Sequence, residues 1–514
     1  METIIKNIDG IQRTFIGVVS LLLLAAVPGL AQDAHVLKSP HKKITVSFWI
    51  NREGEAHYKI SRKGKTLLEP SDLGVVRRDM DFSTNLTLES ASDPRIIDEE
   101  YKLNKGKRLN RSYSARRRVF RLSNAWGYLF DIIFQVSDEG VAFRYRFPGS
   151  SDDRHMIVEE RTSFNLPSDA EAWLEPLENV NTGFARSNPS YEMFYQKGIS
   201  VGTEAPYEAG WAYPALFNSA HSWILITETG LTHNYSGTRL RPESPKGEYR
   251  VGFPQNGETI PGKILKPHST LPWSTPWRVL TIGSLATIIE STHATDLADP
   301  PVAGDYSFVK PGHASWSWGL LKDESVNDET QKKFIDYAAD MGWEYTLVDV
   351  NWDTNIGYDR IAELANYADS VGVGLFLWYN SAGYWNQTPY HPRNRLLTHE
   401  SRVHEFSRLQ KMGIKGIKID FFGGDGQSMI EYYQDIFRDA ASFELMVNCH
   451  GSTIPRGWQR TYPNLMTMEA VKGFEYLTFE QENANQAATT AAMLPFARNS
   501  TDPMDFTPMV YCRN

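Results

Sequence analysis

The rhythm of the chain changes after Asp299-Pro300-Pro301, and no other feature of the sequence restricts the fold as much. Beyond that point, short apolar runs alternate with amphipathic stretches. Residues 314–319, 345–351 (YTLVDVN), 374–380 (GLFLWYN), 414–422 (IKGIKIDFF), 444–450 (ELMVNCH) and 465–471 read as strands. Residues 329–341 (ETQKKFIDYAADM), 358–370, 400–412 and 427–441 read as helices between them. Strands joined by helical crossovers lie parallel, because a parallel pair needs a long connection. The length of the region and the lack of a phosphate-binding glycine motif favour a closed barrel over a doubly wound sheet. Counting residues 504–510 as another strand gives about seven, against the eight of a complete (β/α)8 TIM-type barrel. The expectation for residues 301–514 is such a barrel, incomplete at its C-terminus, with unpaired sheet edges and impaired folding and activity.

Upstream, residues 43–51 (KITVSFWIN) alternate apolar and polar side chains, and a turn at 52–55 leads into residues 56–62. That is a hairpin pattern. Similar runs recur at 117–122, 128–136, 140–147, 222–227 and 249–253, with few helical stretches among them. Residues 32–300 are therefore expected to form a large β-sandwich domain.

The first residues read as an export signal. Lys6 and Arg13 precede an apolar run at 15–27, and Gly29 and Ala31 supply small residues at a cleavage site. Residues 1–31 are thus expected to be a signal peptide, with the mature chain secreted, in the periplasm. No later segment reaches the ~20 apolar residues of a membrane span. The net charge of −9, with no basic block, makes nucleic acid a poor partner. The two cysteines, Cys449 and Cys512, form no disulfide framework and lack metal-ligand spacing. The aromatic share of 12% suits stacking on pyranose rings, and equally suits large cores.

Active sites of such barrels lie at the C-terminal ends of the strands. Those ends carry Trp316 and Trp318, then Asp349 and Asn351, Trp378, Lys418 and Asp420, Asn448 and His450, and Glu469 with Glu475 just beyond. Polar and aromatic residues in series on one rim form a candidate sugar pocket. By strand alternation Lys418 and Asp420 share the lumenal face. A carboxylate beside a lysine stays ionised and is a candidate nucleophile. The same spacing is equally compatible with a structural ion pair. A second carboxyl opposite Asp420, from Glu469 or Glu475, is what glycoside hydrolysis requires.

The stretch 448–475 (NCHGSTIPRGWQRTYPNLMTMEAVKGFE), with IKIDFF at 417–422, SYEMFY at 190–195, ASWSWG and PMDFTP, resembles glycoside hydrolase family 97. The resemblance implies an N-terminal β-super-sandwich, a catalytic (β/α)8 barrel and a C-terminal β-sandwich, the last absent from this sequence. It implies a family split between inverting members, with a glutamate after the histidine of strand five, and retaining members, with an aspartate at the end of strand four. Gly451 after His450, together with Asp420, matches the retaining, α-galactosidase-like branch. The resemblance then makes Asp420 the nucleophile and Glu475 the acid/base of an exo-acting enzyme. It also implies Ca²⁺ held by Glu192, Glu469 and Glu475, more weakly than in the inverting branch. The substrate so implied is an oligosaccharide or α-galactoside. An α-glucosidase of the same family and a non-catalytic carbohydrate-binding remnant are the competing readings.

Overall fold

A computed structural model describes residues 34–219 and 222–507. The signal sequence, Cys512 and the end of the 504–510 run lie outside the described residues. The first half is built of antiparallel strands. His35–Lys38, Ile44–Ile50, Ala56–Arg62 and Lys65–Leu73 form a four-stranded meander. In Ile44–Ile50, Ile44, Val46, Phe48 and Ile50 are buried and the residues between them are partly exposed. Period-two alternation puts all four on one face. That face packs on a larger sheet of thirteen strands, in which Asn110–Ser123, Leu129–Ser137 and Gly140–Glu160 are neighbours. The seam is aromatic. Phe48 stacks on Phe120 at 4.2 Å, and Tyr58 meets Phe143 at 5.1 Å.

The second half is a parallel sheet of six strands in sequential order: Ala314–Trp316, Tyr345–Val348, Gly374–Asn380, Gly416–Asp420, Met446–Cys449 and Leu465–Met468. Helices cross between them. Asp328–Met341 is representative: the Asn327 side chain accepts from the Thr330 N–H at 3.0 Å and caps its start, while Gly342 ends it with φ +67°. Of the 504–510 run, only a parallel bridge from Met468 to Met504 forms among the described residues. Side chains from all six strands, including Trp316, Leu347, Phe376, Lys418, Asn448 and Met466, line one cavity of about 1400 Å³. The sheet therefore curls around a concave face, giving part of a barrel.

Several expected strands are shorter than their apolar runs. The 314–319 run breaks at Trp316, and Ser317–Leu321 is helical. The 345–351 strand stops at Val348, because the chain turns at Asn351 with φ +63°. The Ala-rich helix Gln481–Met493 was not expected from periodicity, since its buried set is only Asn483, Thr490 and Met493.

The two halves share a buried ionic network. Arg278 pairs with Glu160 at 2.6 Å and with Glu228 at 2.5 Å. Glu228 also holds Arg456, and Arg456 reaches Asp425 at 3.2 Å. Arg239 binds Glu258 at 2.5 Å and approaches Asp425 at 3.5 Å. Arg456 and Asp425 belong to the barrel half, and the other members to the β-rich half. Each charge has an opposite partner, which matters because one uncompensated buried charge costs about 3–5 kcal/mol. The network fixes the loop that follows Asp420 against the first half.

Candidate active site

Asp420 ends the fourth barrel strand, every residue of which is buried. Its Oδ2 accepts from Trp378 Nε1 at 3.1 Å, and its Oδ1 from the Phe421 N–H at 2.7 Å. Burial raises its pKa above the usual aspartate value, opposed by the charges of His450 and Lys418. The two contacts aim the carboxylate without neutralising it.

Lys418 lies one pleat below on the same strand, in register with Trp378 on one side and Asn448 on the other. Its ion-pair partner is Asp349, at 3.5 Å, rather than Asp420 as sequence spacing had indicated. Asp349 follows the second strand, Tyr345–Val348, two strands away from that of Lys418, and reaches the ammonium across the intervening third strand; the ammonium also sits 4.4 Å from the Trp316 ring. Burial disfavours its charge, yet Asp349, Asp420 and Glu475 together hold its pKa above the ordinary lysine value. Trp316 donates its Nε1–H to Asp349 at 2.7 Å and stacks on Trp318 at 5.4 Å. Trp318, carried out of the strand by the short helix, donates to Asp323 at 2.6 Å. Asn351 is not brought into this group. It exchanges hydrogen bonds with the His391 backbone at 2.6 and 3.1 Å and so ties two loops together.

His450 follows the fifth strand and organises a second group. Its Nε2 lies 3.1 Å from Glu469 Oε1 and 3.3 Å from Glu475 Oε1, and its Nδ1 lies 2.9 Å from Asp505 Oδ2. Burial alone would depress its pKa, but the surrounding carboxylates, Glu469 foremost, raise it well above the ordinary histidine range. Burial acts against the charge of Glu475, but His450 prevails and lowers its pKa. Glu469 goes the other way: burial and the nearby Glu192 charge push it well up.

Glu192 comes from the β-rich half. It follows Tyr191, whose hydroxyl donates to Asp425 of the barrel, and its own Oε1 accepts from Tyr476 at 3.1 Å. Burial pushes its pKa up to about 7. Ligand atoms of Glu192, His450, Glu469 and Glu475 all lie within 4.8 Å of one another. The arrangement fits a cation on two grounds. Three carboxylates crowd one buried volume, and the buried Glu469 Oε1 has the ion contact with His450 but no hydrogen bond. Oxygen donors of this kind suit a hard divalent ion.

Sequence reasoning missed two members of the site. Asp505, in the PMDFTP stretch, orients His450, and Tyr476 supports Glu192. A carboxylate between Met504 and Phe506 was the available signal for the first. Gly451 adds a steric fact. Its φ is +48°, and a Cβ there would lie 2.8 Å from Asp420 Oδ1 and 3.1 Å from the Phe421 nitrogen. A side chain at 451 and the carboxylate of Asp420 compete for the same space.

Comparison with known proteins agrees with this architecture. The family model described as Glycosyl-hydrolase 97 N-terminal matches residues 37–300, and that described as Glycoside hydrolase 97 matches residues 310–471. A protein of Streptomyces bingchenggensis named "Probable retaining alpha-galactosidase" is 35% identical, over 96% of this chain and 74% of its own length. A retaining alpha-galactosidase of Bacteroides thetaiotaomicron is 26% identical, over 95% of this chain and 74% of its own. A crystal structure titled beta-arabinopyranosidase superposes with a TM-score of 0.89 at 38% identity, covering 92% of this chain and 76% of that one. Two family models across most of the chain and a relative aligned over nearly all of it place this protein in glycoside hydrolase family 97.

Proposed function

We propose that this glycoside hydrolase is a retaining, exo-acting α-galactosidase, with Asp420 as nucleophile and Glu475 as acid/base. The close approach of Gly451 to Asp420 carries the reading. One position is filled by a carboxylate and the other has no side chain to act as a base there. The relatives named retaining alpha-galactosidases support it.

In the first step Asp420 attacks the anomeric carbon. The glycosidic C–O bond breaks, and the departing oxygen takes a proton from Glu475. In the second step Glu475 removes a proton from water, the oxygen of which attacks the same carbon and releases Asp420. The charge of His450, 3.3 Å from Glu475, favours the ionised form of that carboxyl, the form that acts as base in the second step. Trp378 and the Phe421 N–H hold the attacking carboxylate, and Lys418 supplies positive charge from below.

The 38% identical structure titled beta-arabinopyranosidase favours a second substrate. A β-L-arabinopyranoside has the ring configuration of an α-D-galactopyranoside and lacks only its hydroxymethyl group. Aryl α-galactoside, aryl β-L-arabinopyranoside and aryl α-glucoside, compared by kcat/KM, decide the glycon. The first two should be cleaved far better than the glucoside, whose 4-hydroxyl is equatorial. Proton NMR of the first-formed sugar should show the α-anomer from the α-galactoside. An initial β-anomer, or preference for the glucoside, would overturn the reading.

The same proposal includes a calcium ion at Glu192, Glu469 and Glu475. Such an ion supplies charge to a buried carboxylate group and ties the two halves of the chain together. Calcium accepts irregular oxygen sets at about 2.3–2.6 Å, whereas magnesium requires a compact octahedron. Chelation should lower both activity and the thermal midpoint, and Ca²⁺ should restore them better than Mg²⁺. Glu192→Gln should weaken Ca²⁺ binding, measured calorimetrically, about ten- to a hundredfold. Unchanged affinity in that variant would remove Glu192 from the site. The domain division at residues 300/301 and export to the periplasm belong to this proposal too, on the sequence patterns given above.

A further inference from the structure

A line of aromatic rings runs outward from Asp420 and crosses from the barrel half to the β-rich half. Trp378, which holds Asp420, is fully buried. Phe421 meets it edge-on at 6.0 Å, Tyr390 stacks on Phe421 at 6.3 Å with the planes 11° apart, and Phe184 lies 6.4 Å from Tyr390. Phe421 and Tyr390 are half-buried, and Phe184 is 60% exposed.

Each ring is fixed. Phe421 has φ +62°, and its carbonyl accepts from Ser381 Oγ, Trp385 Nε1 and Asn386 Nδ2 at 2.8, 3.2 and 3.0 Å. The Phe184 turn is tied to the barrel by the Gln387 N–H, which donates to Ala185 O at 2.7 Å. Ala185 and Arg186 both have positive φ, 45° and 59°. Left-handed backbone at two successive non-glycine residues beside this ring is strain of the kind that gathers at ligand sites.

We propose that Phe421, Tyr390 and Phe184 form the leaving-group subsite, with Phe184 as its outer platform. The occupant is the ring of the departing group: the apolar face of a second pyranose, or an aryl group. This rests on the exo-acting reading above. Such an enzyme holds the sugar it cleaves at the closed end, beside Asp420, and the departing group toward solvent. The line of rings follows that path from buried to exposed. Phe184 comes from the β-rich half, so that half contributes to leaving-group choice as well as carrying Glu192.

The test uses two substrates with the same glycon, a disaccharide and a glycosyl fluoride. Fluoride carries no ring for the platform to hold. Phe184→Ala should lower the ratio of kcat/KM for the disaccharide to that for the fluoride about tenfold, the scale of one lost ring contact. Phe184→Trp should restore most of it. A ratio unchanged in the alanine variant, or no recovery with tryptophan, would overturn the subsite. Turnover of the fluoride by the unmodified chain tests the glycosidase reading separately.

Discussion

Asp420→Gly should lose about three to six orders of magnitude in kcat on an aryl α-galactoside, because the covalent step has no nucleophile left. The variant should still fold. Asp420 is buried beside the opposite charges of His450 and Lys418 and the weaker like charge of Glu475, and its carboxylate accepts two hydrogen bonds. Removing it spares the desolvation of a buried charge while giving up those attractions and freeing two donors, and these opposing effects should leave the thermal midpoint little changed. The gap it leaves has room for a small anion. Added azide should restore part of the rate and yield the β-glycosyl azide, since it attacks from the face that Asp420 occupied. The measurement is the product anomer as much as the rate. Activity close to that of the unmodified chain, or azide that accelerates nothing, would remove Asp420 from the role.

Glu475→Ala should cost about two to four orders of magnitude on substrates with poor leaving groups, the usual contribution of a positioned acid. With a dinitrophenyl leaving group, which needs no proton, the first step should remain fast. The second step still lacks its base, so a burst of phenol followed by slow turnover is expected. Azide should accelerate that turnover and yield the α-glycosyl azide. It then attacks the glycosyl-enzyme on the face opposite Asp420. Opposite azide anomers from the two variants would separate nucleophile from acid/base within one experiment. A loss of equal size on both leaving groups would instead mark Glu475 as a positioning residue for the group around His450. The lowered pKa of Glu475 makes that alternative worth testing, because a dedicated acid ordinarily has its pKa raised.

Much of the architecture was legible in one dimension. The period of two in Ile44–Ile50 and the helical period in Asp328–Met341 announce their own faces, because burial on one side imposes them. The strand-helix alternation after residue 301 implies parallel neighbours, and the parallel rule puts chemistry at the strand ends. That reasoning reached Asp420, Lys418, His450, Glu469 and Glu475. It did not reach Gln481–Met493, whose polar residues carry no clear stripe, nor the early break at Trp316.

The chain order of residues determined which side chains stand at which strand end, and with that the pool from which a site can be built. Only the tertiary structure decided the partnerships. Lys418 pairs with Asp349 across 69 positions of sequence, and Asp505 with His450 across 55. Glu192 enters from the other half through the Tyr191 contact with Asp425. Periodicity reports the face a residue shows to its own element and is silent about what another element brings to meet it. Coulombic and hydrogen-bond energies depend on distances of a few ångströms, which only the closure of loops and domains sets. For that reason the carboxylates could be listed from sequence, whereas their pKa values, their crowding around one point and the space Gly451 leaves for Asp420 belong to the folded molecule.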